Sequence, residues 1–294
     1  MIVLRSRLFA AALICSLFSA PADAARIVTL APHLAELVCA AGGCDQIVAV
    51  SAYSDFPSQL RRLPQIGDGF SFNLEAILAL RPDHVLAWDG GTPASTVQRL
   101  RALGVAVTEI RVDRLDNVAP ALQTIGTLLH TEPQAAAAAQ AYRTRLAQLR
   151  ARWRASTPIR VVYQIGVGPA YTVGGGSPIS DVLALCGGVN VFSDLKPLAA
   201  PIGAEAMLAA QPQAVLFGGE DNLQQMRAYW SRLPGTQVIQ RGTLYPINAD
   251  WLARAAPRML DGVEQVCQTL DDARRRWSAP PAAAPDHGAE AAPK

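Results

Sequence analysis

The apolar positions of the chain fall into two kinds of run that alternate. Short β-rich runs, "RIVTLAP" from Arg26 and "RVVYQIG" from Arg160, are each followed by an apolar stretch at helical spacing that closes on Gly-Gly. Those stretches are "ELVCAAGG", Glu36 to Gly43, and "DVLALCGG", Asp181 to Gly188. Further on, "NLEAILALRPDHVLAW", Asn73 to Trp88, and "GAEAMLAAQPQAVLFG", Gly203 to Gly218, form a second matched pair. Each reads as a helix with a glutamate in its first turn, a proline stop at Pro82 or Pro212, and then an apolar strand. Aligned on Glu75 and Glu205, 130 residues apart, seven of the fourteen positions from the glutamate onward are identical. Strands alternating with helices imply parallel sheets covered on both faces. The predicted fold is therefore α/β, with two related lobes.

Between the lobes runs "TEPQAAAAAQAYRTRLAQLRARWRA" from Thr131. Thr131 and Gln134 have the spacing of a capping box, Pro133 suits a first turn, and the alanine run has high helix propensity. Tyr142, Leu146, Leu149 and Trp153 would pack on one side, with Arg143, Arg150 and Arg154 facing water. From Gln134 to Ala155 the helix would be about 33 Å long at roughly 1.5 Å per residue. A single rigid backbone helix would join lobes that move little relative to one another. The predicted division is a first lobe over 25–130, the connecting helix over 131–156 and a second lobe over 157–277.

The ends read differently. Arg5 and Arg7, the 13-residue apolar run Leu8 to Ala20, and Ala22-Asp23-Ala24 have the order of a secretory signal peptide over 1–24, and the run is too short to span a bilayer. Residues 278–294, "SAPPAAAPDHGAEAAPK", lack apolar periodicity and predict a disordered Pro/Ala-rich tail. The product is then a soluble protein beyond the membrane, in the periplasm. Without Arg5, Arg7 and Asp23 the chain carries 24 basic and 23 acidic residues, a balance that gives no reason to expect nucleic acid or an anionic membrane as partner. Cys39, Cys44, Cys186 and Cys267 remain after processing, and an even count in an oxidising compartment suggests disulfides with three possible pairings.

Candidate chemistry is that of binding. No G-x-S-x-G elbow, Walker loop, complete dinucleotide fingerprint or HExxH is present, so neither catalytic nor resident-cofactor roles are expected. Tyr53 in "SAYSDFP", Trp88 in "VLAWDGG" and Tyr171 in "GPAYTVGG" precede turn-forming residues and suit the walls of a cleft for a large flat ligand. His84 at a strand start and His130 at a helix end read as structural. His33, before a helix, is the one imidazole placed to ligate a metal, and it does so only if the ligand is haem or another metal complex.

"SAYSDFP", "NLEAILALRP", "VLAWDGG", "ALCGGVNVF" and "DWLARAAPR", in this order, resemble the class III substrate-binding proteins of metal-chelate ABC importers, in particular their cobalamin-binding branch. The likeness runs from about Arg26 to about Leu270. It implies a periplasmic, monomeric binding protein that holds a corrinoid such as cobalamin between its lobes and delivers it to a permease dimer. It implies ligand contacts at Tyr53, Phe70, Trp88, Tyr171, Asp250, Trp251 and Arg254, the last three on a loop toward the ligand's amides. A local ion pair between Asp250 and Arg254 is the competing account of that loop. Glu75 and Glu205 would dock onto permease arginines. The resemblance also pairs Cys186 with Cys267, which leaves Cys39 and Cys44 for each other. Two departures are visible: Phe70 replaces a cleft tryptophan, and Ala199 or a neighbour in "KPLAAP" replaces another. Haem or ferric-siderophore binding on the same fold is the alternative.

Overall fold

The computed structural model describes residues 25–279. The expected signal peptide and all but the first two residues of the expected tail lie outside them. The first lobe contains β1 (Ile27–Thr29), α1 (Pro32–Ala40), β2 (Ile47–Val50), α2 (Leu74–Ala79), β3 (His84–Trp88), α3 (Ala94–Ala102) and β4 (Val107–Ile110). Then come α4 (Val118–Leu129) and the connecting helix α5 (Glu132–Trp153). The second lobe contains β5 (Ile159–Ile165), β6 (Tyr171–Val173), α6 (Pro178–Leu185), β7 (Gly188–Asn190), β8 (Ala199–Pro201), α7 (Ala204–Ala210), β9 (Ala214–Gly218), α8 (Leu223–Ser231), β10 (Leu244–Ile247), α9 (Ala249–Ala253) and α10 (Met259–Ser278).

The first sheet is parallel throughout in the order β2-β1-β3-β4. The second repeats that order as β7-β5-β9-β10, also parallel. To it are added β6 and β8, which pair antiparallel beyond the far end of β5. The repeat extends to backbone detail. Gly42 (φ +91°) and Gly187 (φ +70°) end the first helix of each lobe in a conformation only glycine adopts without strain. Arg81 and Gln211, just before Pro82 and Pro212, both have positive φ.

Alternate residues of each strand feed opposite faces. In the first lobe Ile27, Leu86 and Ile110 meet α1 and α4, whereas Val28, Val85 and Ala87 meet α2 and α3. In the second, Val161, Tyr163 and Leu216 meet α6 and α10, whereas Val162, Val215 and Phe217 meet Met207 of α7 and Trp230 of α8. The cluster around α1, α4, α5, α6 and α10 is continuous from one lobe to the other.

Helix α5 buries Tyr142, Leu146 and Leu149, and the Tyr142 hydroxyl donates to the Leu115 carbonyl at 2.9 Å. The capping box is not formed: Thr131 is the N-cap, but its hydroxyl has no hydrogen-bond partner among the described residues. Pro133 at the second helical position has no N–H to offer it. Arg143 and Arg150 are exposed yet engaged, Arg143 with Gln123 and Arg150 with both carboxylate oxygens of Asp116. Helix α10 reaches Ser278, one residue into the segment expected to be disordered, because Trp277 donates to the Gln213 carbonyl at 2.6 Å.

Candidate functional site

The carboxyl ends of the parallel strands of both lobes open toward one cleft, the usual location of ligand sites in open α/β sheets. Its first chamber, about 220 Å³, is lined by Leu30, Ala31 and Pro32 after β1, by Tyr53 after β2, by Phe70, and by Trp88 at the end of β3. The aromatic side chains are placed by their turns. The ring of Trp88 lies over Gly91, where a Cβ would come within 1.8 Å of it, and the Trp88 backbone N–H donates to Thr92 Oγ1 at 2.9 Å. Asp68 accepts from the backbone N–H groups of Phe70 and Ser71, which holds its carboxyl below the usual carboxylate range and fixes the loop carrying Phe70. Tyr53 has φ +64° and is 74% exposed; Phe70 is 90% exposed. These two rings lie exposed at the chamber mouth.

A second chamber of about 180 Å³ shares Trp88 with the first. Its other walls are aliphatic: Val112 from the first lobe, then Val173, Ile179, Leu198, Ala199 and Leu252 from the second. Leu198 and Ala199, in the segment where the resemblance expects a tryptophan, supply part of this wall. Tyr171 does not line either chamber; it is 38% exposed, two residues from Val173 on β6 and so on the same face of that strand. His33, near the start of α1, does line this chamber. Its ring meets Trp88 edge-to-face at 5.1 Å, its Nε2 has no hydrogen-bond partner among the described residues, and burial lowers its pKa to about 4.

Asp250 and Trp251 belong to α9, a single turn capped by Asn248, and line a separate polar depression with Gly219, Glu220 and Gln265. Arg254 follows that turn and is buried. Its guanidinium donates to Asp250 at 3.0 Å, to Glu36 at 3.3 Å and to Asp55. Arg258 donates to both oxygens of Glu36 at 2.7 Å and stacks on Phe56 at 4.4 Å. The local Asp250–Arg254 pair is thus part of a larger junction in which first-lobe carboxylates hold second-lobe guanidiniums. Burial pushes the Glu36 carboxyl up against the opposing pull of both arginines, while Arg254 pulls Asp55 down.

The repeat supplies a reciprocal junction. Asp181, which aligns with Glu36, accepts from the Leu115 backbone N–H at 2.8 Å and from Arg114 at 2.9 Å, reaching from the second lobe into the first. Glu36, Asp55, Arg114, Asp181 and Arg258 are not distinguished by sequence spacing, because their partners lie 66 or more residues away. One signal was present: Glu36 interrupts the apolar face of "HLAELVCA", and a carboxylate buried there needs a cation.

Glu75 and Glu205 are both exposed in the first turns of α2 and α7. Both disulfides are formed, Cys39–Cys44 joining the end of α1 to the turn after it and Cys186–Cys267 joining the end of α6 to α10.

Residues 27–242, threaded through both lobes and the helix between them, match the periplasmic binding protein family. The chain belongs to that family. It is 37% identical over 264 residues to a vitamin B12-binding protein of Vibrio cholerae, covering 89% of this chain and 94% of the relative. The crystal structure of the periplasmic vitamin B12-binding protein of Vibrio cholerae superposes with a TM-score of 0.80 at 36% identity, over 85% of this chain and 98% of that one. A periplasmic haem-binding protein from Pseudomonas aeruginosa superposes with a TM-score of 0.73 at 27% identity, over 88% and 95%.

Proposed function

We propose that the protein captures cobalamin or a related corrinoid in the interlobe cleft, in the periplasm, and delivers it to the permease of an ABC importer. The observation that carries this reading is the pair of adjoining chambers on either side of Trp88, opening past Tyr53 and Phe70. Two joined, mostly apolar chambers with aromatic rings at their mouth suit a plate-like and partly apolar ligand. The similarity to vitamin B12-binding proteins over nearly the whole chain supports the corrinoid over other plates.

In this reading Tyr53, Phe70 and Trp88 contact the macrocycle, Tyr171 extends the wall from β6, and Asp250 and Trp251 offer groups to its amides. Arg254 acts through the junction that holds Asp250 rather than as a free donor. Glu75 and Glu205 present one carboxylate per lobe to a permease dimer, and the protein works as a monomer. Titration calorimetry of the mature protein with cyanocobalamin, cobinamide and haemin tests the proposal. We expect one corrinoid per chain with a Kd near 1 nM, about 12 kcal/mol. Haemin binding without corrinoid binding would overturn it in favour of a haem carrier.

A further inference from the structure

His33 is unused by the reading above, and its surroundings ask for an account. Its imidazole is 4% exposed, its Nε2 has no hydrogen-bond partner among the described residues, and it lines the second chamber beside Trp88. Buried polar atoms are nearly always paired, so an unpaired one beside a ligand chamber points to a partner brought by the ligand. The other residues lining that chamber are apolar apart from Trp88, part of the aromatic wall, and Ser177, whose hydroxyl oxygen already accepts from the Ile179 N–H to cap α6.

Among the described residues no three His, Cys, Asp or Glu side chains converge as they would for a bare metal ion. A metal already held in a macrocycle is different, since the ring supplies four donors and one protein nitrogen completes an axial position. Resting on the corrinoid reading, we propose that His33 is an axial ligand to the cobalt of corrinoids that lack a lower base, so that the cleft takes incomplete corrinoids through a metal–imidazole bond. In an aquocobinamide one axial water leaves Co(III) and the Nε2 lone pair forms the new bond. Cobalt keeps its oxidation state. The ring is neutral above about pH 4, and in the tautomer with its one proton on Nδ1 the Nε2 lone pair is free to bind. Nε2 is screened from solvent, so the imidazole or the Trp88 ring packed on it turns to admit the metal. A complete cobalamin, whose own base fills the lower axial position, meets His33 only as a wall.

The test uses the mature protein with aquocobinamide, dicyanocobinamide in excess cyanide, and cyanocobalamin. The wild-type aquocobinamide complex is expected to show the absorbance spectrum of imidazole-bound cobinamide. Dicyanocobinamide, with both axial positions filled, should bind more weakly than aquocobinamide. His33→Phe should leave the bound aquocobinamide with its aquo spectrum. Its affinity for that ligand should fall by at least the roughly 10- to 100-fold that loss of an outer-shell partner costs a metal site, and by far more than its affinity for cyanocobalamin, which meets the side chain only as a wall. Should that variant fail to fold, Co(II) cobinamide bound to wild type decides by electron paramagnetic resonance, where one axial nitrogen gives a triplet that becomes a doublet on ¹⁵N-histidine labelling. Cobinamide bound with an unchanged aquo spectrum and no such splitting overturns the role of His33 and leaves the corrinoid reading standing. Failure of wild type to bind any of the three corrinoids overturns the reading itself.

Discussion

Replacing Arg254 by methionine separates a junction residue from a ligand contact. Methionine keeps most of the apolar stem and removes the guanidinium. The pair with Asp250 is an i,i+4 pair whose acid is 56% exposed, worth roughly 0.3–0.5 kcal/mol. Asp55 is 38% exposed, which limits its pair to about 1 kcal/mol. Glu36 is 3% exposed and loses one of two guanidiniums. A hydrogen bond to a charged group is worth about 1.5–3 kcal/mol, and the two bonds retained from Arg258 keep the loss toward the lower value. The expected destabilisation is thus about 3 kcal/mol, or roughly 10 °C in Tm for a chain of this size. Thermal unfolding followed by circular dichroism, combined with corrinoid titration, reads both quantities. Arg254→Met should lose stability by this amount and couple strongly with Glu36→Gln in a double-mutant cycle, whereas Asp250→Ala alone should cost under about 1 kcal/mol. An Arg254→Met protein as stable as wild type, with corrinoid affinity sharply reduced, would refute the junction account and return Arg254 to the ligand.

Three further outcomes are expected. Reversing both Glu75 and Glu205 to arginine should leave corrinoid affinity unchanged while abolishing uptake through the cognate permease, each single change being milder; a double variant that is still pulled down normally by the permease would remove the docking role. Replacing Cys186 and Cys267 by serine should cost about 4 kcal/mol, since the bond closes a loop of 81 residues, and an undiminished midpoint in denaturant titration would contradict that. Between the ordinary histidine pKa of 6.5 and about 4, the unfolded chain protonates His33 and the folded chain does not. Stability should therefore fall as pH drops through that window, by at most about 3 kcal/mol, and His33→Phe should flatten this part of the profile.

The fold was legible because its signals are local and doubled. A β-rich run, an apolar helix, Gly-Gly, a glutamate-led helix and a proline recur in the same order in both halves, and each sets one element. The β6 and β8 additions were less visible, since three-residue strands carry too little alternation to register. At the site, the turns that present Tyr53 and Trp88 could be read from "SAYSDFP" and "VLAWDGG". The aliphatic wall could not, because Val112, Val173, Ile179 and Leu252 look like any core residue until the topology brings them together around the cleft. Arg254 was noticed, but Glu36 and Asp55, some 200 residues away, decide what it does.

The reciprocal anchors Glu36 and Asp181, together with a core continuous through both lobes, have a kinetic consequence. Closing the cleft by swinging one lobe would break buried ion pairs and apolar packing at once, so in the proposed reading ligand capture is expected to rely on side-chain rotation at the mouth. Exposed rings such as Tyr53 and Phe70 rotate in picoseconds to nanoseconds, far faster than a lobe swings. Association is then limited by diffusion and orientation, about 10⁵–10⁷ M⁻¹s⁻¹, and differences among ligands are expressed in how long they stay. Residence time, rather than the rate of capture, becomes the quantity the permease has to overcome.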